Sequence, residues 1–472
     1  MPINTTLSIT VSLNGNSATV NVLGAKSGAT RAFTMTTPDG TFTSQTTNVF
    51  ATLSNGSHVA TVVETDAIDG TETTVEKAFA VNVPPAPSMT FQQAPAFLNA
   101  VYNPMPVVLR AAPYAIGDLF YVEVWSTPGK AVHPVNNSPE RAVLLQTLRS
   151  NGDGLGTASF DISGVLQSSF EAGGAYVPGL STAFQKDETC YQGFFVRCGI
   201  IRFDAANKEI KTQLLSTNVQ FALRAAFPLA TTASLTRYFY TGDDTIPFLT
   251  NLPYAARRKR SEPTLLGLFA PLADTASLNL NAELVFRDGT SEVVALAGNQ
   301  TASGGVYLFT VMAKNFQGHP KYDQLKRFSV WVNQTPIDGT AFRLSDTLEI
   351  TVEDDVDQPV TVLFMNRKGT WDSLHFNRDT DTTIKLKSLA FANGYGQRTY
   401  QVSTDTTLTY YSGWLTADEY EWLKDLMTSP VLYINGSYYR QEDATFEKTT
   451  RLGLFTIELN VKPANEENTI KL

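Results

Sequence analysis

The stretch Leu53-Ser-Asn-Gly-Ser-His-Val-Ala-Thr-Val-Val63, followed by Asp69-Gly70 and the alternating run Thr71 to Val83, decides the fold class. Successive side chains of a strand point to opposite faces, so a period of two marks a half-buried strand. Asp-Gly between two such runs has the composition of a tight hairpin turn. The same grammar begins upstream. Leu7 to Leu13, Ala18 to Val22 and Ala32 to Thr36 alternate, separated by Asn14-Gly15, Ser27-Gly28 and Asp39-Gly40. Residues 1–84 read as a small sandwich of short strands, and Pro84-Pro85-Ala-Pro87 ends it as a stiff linker.

A chain of 472 residues exceeds one hydrophobic core, because cores stop growing near ~250–300 residues. The first module, 1–84, is similar to Ig-like and fibronectin-type sandwiches. Residues 88–235 read as a second β-sandwich domain, clearest at Pro104 to Arg110 and Leu119 to Trp125. It continues through Arg141 to Arg149, Ser159 to Ile162, Tyr191 to Phe203 and Val219 to Ala222. Residues 236–378 show comparable spacing, from Tyr238-Phe-Tyr240 through Leu278 to Phe286, Val306 to Val311, Phe328 to Val332 and Val360 to Phe364. Both central domains suit a sandwich or jelly-roll.

Residues 379–472 read as a C-terminal β domain with one helix, 416–428. Thr416-Ala-Asp-Glu419 is a capping box, in which the threonine and glutamate satisfy amide donors reciprocally. Tyr420, Leu423, Leu426 and Met427 share one helical face, and Ser429-Pro430 stops the run. Asn435-Gly436 predicts a two-residue hairpin, and Gly453 to Val461 a final strand. The expected fold is therefore mainly β and multidomain.

Composition narrows function. Charged residues make up 17%, the net charge is −9 and the pI about 5.1, which argues against general nucleic-acid binding. The basic run Arg257-Arg258-Lys259-Arg260 reads as a solvated loop, with contact to an acidic partner subunit as the alternative. Glu353-Asp-Asp-Val-Asp357 reads as a solvated turn and does not match a calcium loop. No run of ~20 apolar residues predicts a membrane span. The start, Met1-Pro-Ile-Asn-Thr-Thr-Leu, lacks the features of a secretory leader, so the expectation is a chain folded in a reducing cytosol.

Cys190 and Cys198, if on one strand, lie roughly 26 Å apart at ~3.3 Å per residue, too far for a disulfide. A tight bend at Gly193 would bring them together; free buried thiols are the preferred reading. His58, His133, His319 and His375 are scattered, so no zinc site is expected. Phosphate-cradling glycine loops, H-E-x-x-H and G-x-S-x-G are absent. The sequence nominates no catalytic, metal or cofactor-binding residue, and the expectation is a non-enzyme. Trp125 and Trp331 read as core, whereas Tyr410-Tyr411-Ser-Gly-Trp414 and Tyr438-Tyr439 lie near turns, where aromatics anchor interfaces.

Val362-Leu-Phe-Met-Asn-Arg-Lys-Gly-Thr-Trp371-Asp-Ser-Leu-His-Phe376 resembles a recurrent segment of virion proteins from tailed phages infecting Bacteroidota, including crAss-like phages. Thr416 to Pro430, with Val431-Leu-Tyr-Ile434, looks like the C-terminal half of the same proteins. The resemblance covers roughly residues 345–461. It implies a structural subunit of a bacteriophage tail or neck: a ring, baseplate or adaptor protein assembling with copies of itself and with other virion proteins. It also implies synthesis in the host cytoplasm and residence in the virion, without membrane or direct nucleic-acid binding. Within it, Gly369 would permit the tight turn and Trp371 would pack beneath. Trp371, Gly369, Trp414, Tyr410 and Tyr438 are the interface candidates. The alternative is a glycan-binding surface or secreted β-protein of a bacterium, working through exposed aromatics.

Overall fold

Alternation along the first 87 residues becomes two facing sheets in the computed structural model. The structure describes residues 6–464 apart from 15–16, 39, 41, 52, 55, 82–87, 115–117, 128–141, 174–176, 204–208, 228–234, 239–243, 271–275, 303, 337–338, 356, 377–379, 413–414 and 443–454. The chain divides into two units, Met1–Pro87 and Ser88–Leu472.

In the first unit, Ser8–Asn14, Ser17–Leu23 and Val49–Phe50 form one antiparallel sheet. The second sheet has the order Phe42–Gln45, Thr30–Thr36, Gly56–Thr65, Glu72–Val81. Along Gly56–Thr65, His58, Ala60, Val62 and Glu64 are the buried alternates. Ala60 and Val62, with Phe33 and Met35, meet Ile9, Ala18, Val20 and Phe50 of the other sheet. His58 sits in this row because its Nε2 is 2.6 Å from the Ser54 carbonyl and its ring stacks on Phe79. This is the β-sandwich expected.

Among the described residues the second unit contains five sheets. A six-stranded one runs Val143–Asn151, Leu119–Thr127, Tyr191–Phe203, Gln220–Leu223, Leu98–Ala100, with Glu209–Ser216 also pairing with Tyr191–Phe203. Another runs Ala255–Lys259, Leu348–Glu353, Leu325–Thr335, Ala276–Phe286, Ser291–Ala302. A seven-stranded sheet has the order Trp371–Phe376, Val360–Met365, Leu432–Ile434, Ser437–Gln441, Glu458–Pro463, Gly396–Tyr411, Thr380–Asn393.

The divisions expected at 235/236 and 378/379 fall inside this unit, and hydrophobic clusters cross both. The strands Thr264–Ala270 and Gly305–Val311 show why. They pair with one another and are buried at every position, the near-continuous apolar pattern of strands covered on both faces. One face (Leu266, Leu268, Tyr307, Phe309) packs with Phe364, Phe376, Trp422 and Leu459. The other (Leu265, Phe269, Val306, Leu308) packs with Leu98, Cys190, Phe221 and Trp371. One strand pair thus joins apolar segments from all three expected domains.

Local readings fare differently. The capping box forms both ways, with Glu419 N donating to Thr416 Oγ1 at 3.3 Å and Thr416 N to Glu419 Oε2 at 2.9 Å. The helix behind it is two short pieces, Ala417–Trp422 and Lys424–Met427, instead of one. Asn435 and Gly436 both have positive φ, 46° and 90°, as a type I′ hairpin requires. A second helix, Ser163–Gly173, was not expected; it buries Val165, Leu166 and Phe170. Tyr238 belongs to a helical turn, not a strand, and Tyr240 lies outside the described residues. The last strand is Glu458–Pro463, while Phe455 only bridges Leu415. Cys190 and Cys198 are free and buried in different clusters, and burial pushes the Cys198 thiol up to about 12.

Because two clusters share the Thr264–Ala270 strand, calorimetry should show residues 88–472 unfolding in one transition, apart from that of residues 1–87. Leu268→Ala should destabilise the larger transition by about 2–5 kcal/mol and leave the smaller in place. Separate transitions for 88–235 and 236–472 would contradict the shared core.

Candidate functional site

The segment carrying the resemblance folds as a hairpin, Val360–Met365 against Trp371–Phe376. Its turn is closed by Asn366 N to Thr370 O at 2.8 Å and Gly369 N to Asn366 O at 3.0 Å. The Asn366 side chain accepts from Lys368 N at 2.9 Å, the local bond that favours asparagine in turns. Gly369 has φ +85°, and a Cβ there would lie 2.5 Å from the Arg224 carbonyl oxygen. Only glycine meets both conditions.

Around the turn lies a buried polar hub. Asp372 accepts from Trp422 Nε1 at 2.7 Å, Thr250 Oγ1 at 2.9 Å and Asn366 Nδ2 at 3.0 Å. Asn366 Nδ2 also reaches the Leu249 carbonyl at 2.9 Å, and Thr370 Oγ1 donates to the same oxygen. Nearby, Asp425 is bound by Asn251 at 2.7 Å and Arg367 at 3.1 Å. Ser373 Oγ donates to the Pro263 carbonyl, and His375 N donates to Glu262. The hub thereby fastens the hairpin to residues 249–251, 262–263 and the capped helix. Burial pushes the Asp372 carboxyl up to about 6, and burial raises Asp425 as well. These hydrogen bonds all run between segments of the fold and tie the hairpin to its neighbours.

The interface candidates separate on burial. Trp371 and Tyr410 are core residues, each packed in a hydrophobic cluster, and Gly369 sits against the Arg224 backbone. These three serve the interior: Trp371 begins a strand buried at every position, Tyr410 packs in the core, and Gly369 lies in the turn just before Trp371. Trp414 lies outside the described residues. Tyr438 is exposed, on the edge of the Asn435-Gly436 hairpin, with its ring 5.0 Å from that of Tyr433.

The feature that sequence reasoning missed is a long arm. Thr380–Asn393 and Gly396–Tyr411 pair along their whole length, from Thr380 opposite Tyr410 to Asn393 opposite Gly396. Glu458–Pro463 joins only at Leu408 to Tyr411. Among the described residues, Ile384–Asn393 therefore has only Gly396–Thr406 beside it. At about 3.3 Å per residue those ten positions span about 30 Å. Asp381 to Lys385 are all exposed, so neither face of the arm lies on a body there. Ile384, Leu389, Phe391 and Tyr395 are exposed apolar side chains on it, Tyr395 at 89%. The root is clamped where Lys462 Nζ meets Asp405 at 2.8 Å and Glu442 at 2.7 Å, and Tyr411 Oη donates to Asp381. The sequence signal was the strand-like stretch between 380 and 411, with apolar positions at Ile384 and Leu386 that shift phase at Leu389 and Phe391, and Asn393-Gly394-Tyr395-Gly396 at its turn.

The two charged runs are not solvated apart; they face each other. Ala255–Lys259 is a strand running parallel to Leu348–Glu353. Arg257 lies 3.5 Å from Glu353, Arg260 lies 3.6 Å from Asp354, and Asp355 accepts from Ser261. Parallel pairing makes both runs leave the same end of the sheet. Among the described residues no group of three or more His, Cys, Asp or Glu is placed to hold a metal ion, and no helix is long and apolar enough to cross a membrane.

No family model matches the chain, and no curated protein matches it. Solved structures that align include a Ca2+-stabilized ice-binding adhesin of an Antarctic bacterium, 12% identical over 84% of this chain and 90% of that one, TM-score 0.20. Trypsin-activated alpha-2-macroglobulin from Escherichia coli is 8% identical over 96% of this chain and 28% of its own, TM-score 0.19. Salmonella alpha-2-macroglobulin reacted with methylamine is 9% identical over 94% and 31%, TM-score 0.18. Likenesses this slight carry no argument about fold or function.

If Asp372 is the acceptor that holds the hub, Asp372→Asn should cost about 1–3 kcal/mol, since an amide N–H would face the donors. The folded pKa exceeds the unfolded one, near 3.9. Wild-type stability from this group is therefore full below about pH 4 and lost as pH rises through 6. Urea melts across that range should show the variant's deficit largest at the acid end and narrowing above pH 6. A deficit that widens with pH would contradict the assignment.

Proposed function

We propose that the chain is a non-catalytic structural subunit of a symmetric assembly, a ring, baseplate or adaptor component of a bacteriophage tail or neck. The observation that supports an assembling subunit is the arm. A lone two-stranded hairpin is marginal in water, and long edges with exposed apolar side chains invite pairing with other chains. Symmetric repetition satisfies such an arm, because each copy receives what the next one extends. In this reading the arm of one copy lies along a neighbouring copy, and the hub keeps the body beneath it from yielding. Placement in a virion rests on the resemblance of residues 345–461.

Light scattering tests the assembling role. The full chain should exceed the 51.6 kDa of one copy at micromolar concentration. A variant with residues 384–406 replaced by Asn-Gly should be a monomer with an unchanged main unfolding transition. A full chain that stays at one-copy mass, or a shortened chain that still assembles, would overturn the arm as the contact.

A further inference from the structure

The arm ends on an aromatic that its turn does not need. Asn393 pairs with Gly396, so Gly394-Tyr395 is the whole loop. Tight turns select Gly, Asn, Asp, Pro and Ser, and a tyrosine contributes nothing to making one. Tyr395 nevertheless stands there, 89% exposed, at the far end of about 30 Å of paired strand. Tyrosine carries a large apolar ring and is enriched among the residues that dominate binding.

The body has a hollow of matching character. A cavity of about 430 Å³ is walled by Met365, Ala226, Pro430, Val431 and the Tyr102 ring. Tyr102 and Pro430 are exposed, so its mouth is open to solvent. The polar groups of the lining are bonded within the fold. Arg367 Nε lies 3.1 Å from Asp425, Arg224 Nη2 donates to the Phe170 carbonyl at 3.1 Å, and Asn366 belongs to the hub. Such a lining suits an apolar occupant. A guanidinium also attracts the face of an aromatic ring. Arg258, 3.7 Å from Glu262, is used that way 4.7 Å over Trp422.

Charge favours a second copy as the source of that occupant. Residues 384–404 contain Lys385, Lys387 and Arg398 and no acidic residue, a charge of +3. With −9 for the whole chain, the remainder carries −12. Arms are therefore drawn to the bodies of other copies, while bodies repel one another. The tip itself, Asn393 to Gln397, is uncharged, so it meets Arg224 and Arg367 without like-charge repulsion.

We propose that the Tyr395 ring of one copy seats in this cavity of a second copy, against Met365, Pro430 and Val431. The inference rests on the assembling role proposed above and names its point of contact.

Light scattering of variants at micromolar concentration, beside the wild type, tests it. Tyr395→Ala should weaken assembly at least about tenfold, whereas Tyr395→Phe keeps the ring and should assemble as the wild type does. Thr428→Trp places bulk on the exposed rim of the cavity and should also prevent assembly. Both positions are exposed, so the main unfolding transition should stay in place. Mixed together, Tyr395→Ala, with its cavity intact, and Thr428→Trp, with its tip intact, should form particles of two copies. A wild type that assembles while Tyr395→Ala assembles equally well overturns this contact and leaves the assembling role standing. Failure of Tyr395→Phe as deep as that of Tyr395→Ala overturns the ring as the anchor. Folded variants that stay single when mixed overturn the cavity as its receiver. A wild type that stays at 51.6 kDa overturns the assembling role and this inference with it.

Discussion

A carboxylate without water must find donors, and the way Asp372 finds them organises the second unit. Its three donors come from distant parts of the chain: Thr250, Asn366 and Trp422. Removing one partner of a buried charge leaves the others stranded, at a cost well above that of an exposed bond. The hairpin, the 249–251 segment and the capped helix are thus committed to one arrangement. Apolar packing alone would tolerate several. The hub is therefore a device of specificity more than of net stability.

Around that point the two-faced strands do the rest. Thr264–Ala270 and Gly305–Val311 are covered on both sides, so segments that look like separate sandwiches share their interiors. Such a body resists deformation. It suits a subunit that extends a thin arm, because a lever needs a fixed root, and the Lys462 contacts to Asp405 and Glu442 supply one.

Much of the local structure was legible in the sequence. Thr416 and Glu419 form the capping box that their spacing announces, and Asn435-Gly436 makes the turn that its composition demands. The first sandwich followed from alternation and turn residues. The prolines at 84–87 announce the division after Pro87, whereas the apolar clusters shared across 235/236 and 378/379 were not legible, because strand periodicity says which face is apolar and not what covers it. The strand at Arg257 to Lys259 was hidden because a buried arginine looks like any basic residue until Trp422 and Glu262 are placed around it. Asp372 could have been noticed. It shares a strand face with Leu374 and Phe376, and a carboxylate in such company requires buried donors. Tyr410, read as an interface anchor from its place near a turn, is buried, because nearness to a turn in sequence does not fix which way a strand residue points.

The central claim is that a rigid body, locked at Asp372, carries an arm that becomes ordered against another copy. Hydrogen exchange read by mass spectrometry, on dilute and concentrated full-length protein, tests it most directly. The account predicts that peptides within 384–406 gain protection as concentration rises, while peptides spanning 366–376 are strongly protected throughout. Arm protection independent of concentration, or fast exchange at 366–376, would contradict it.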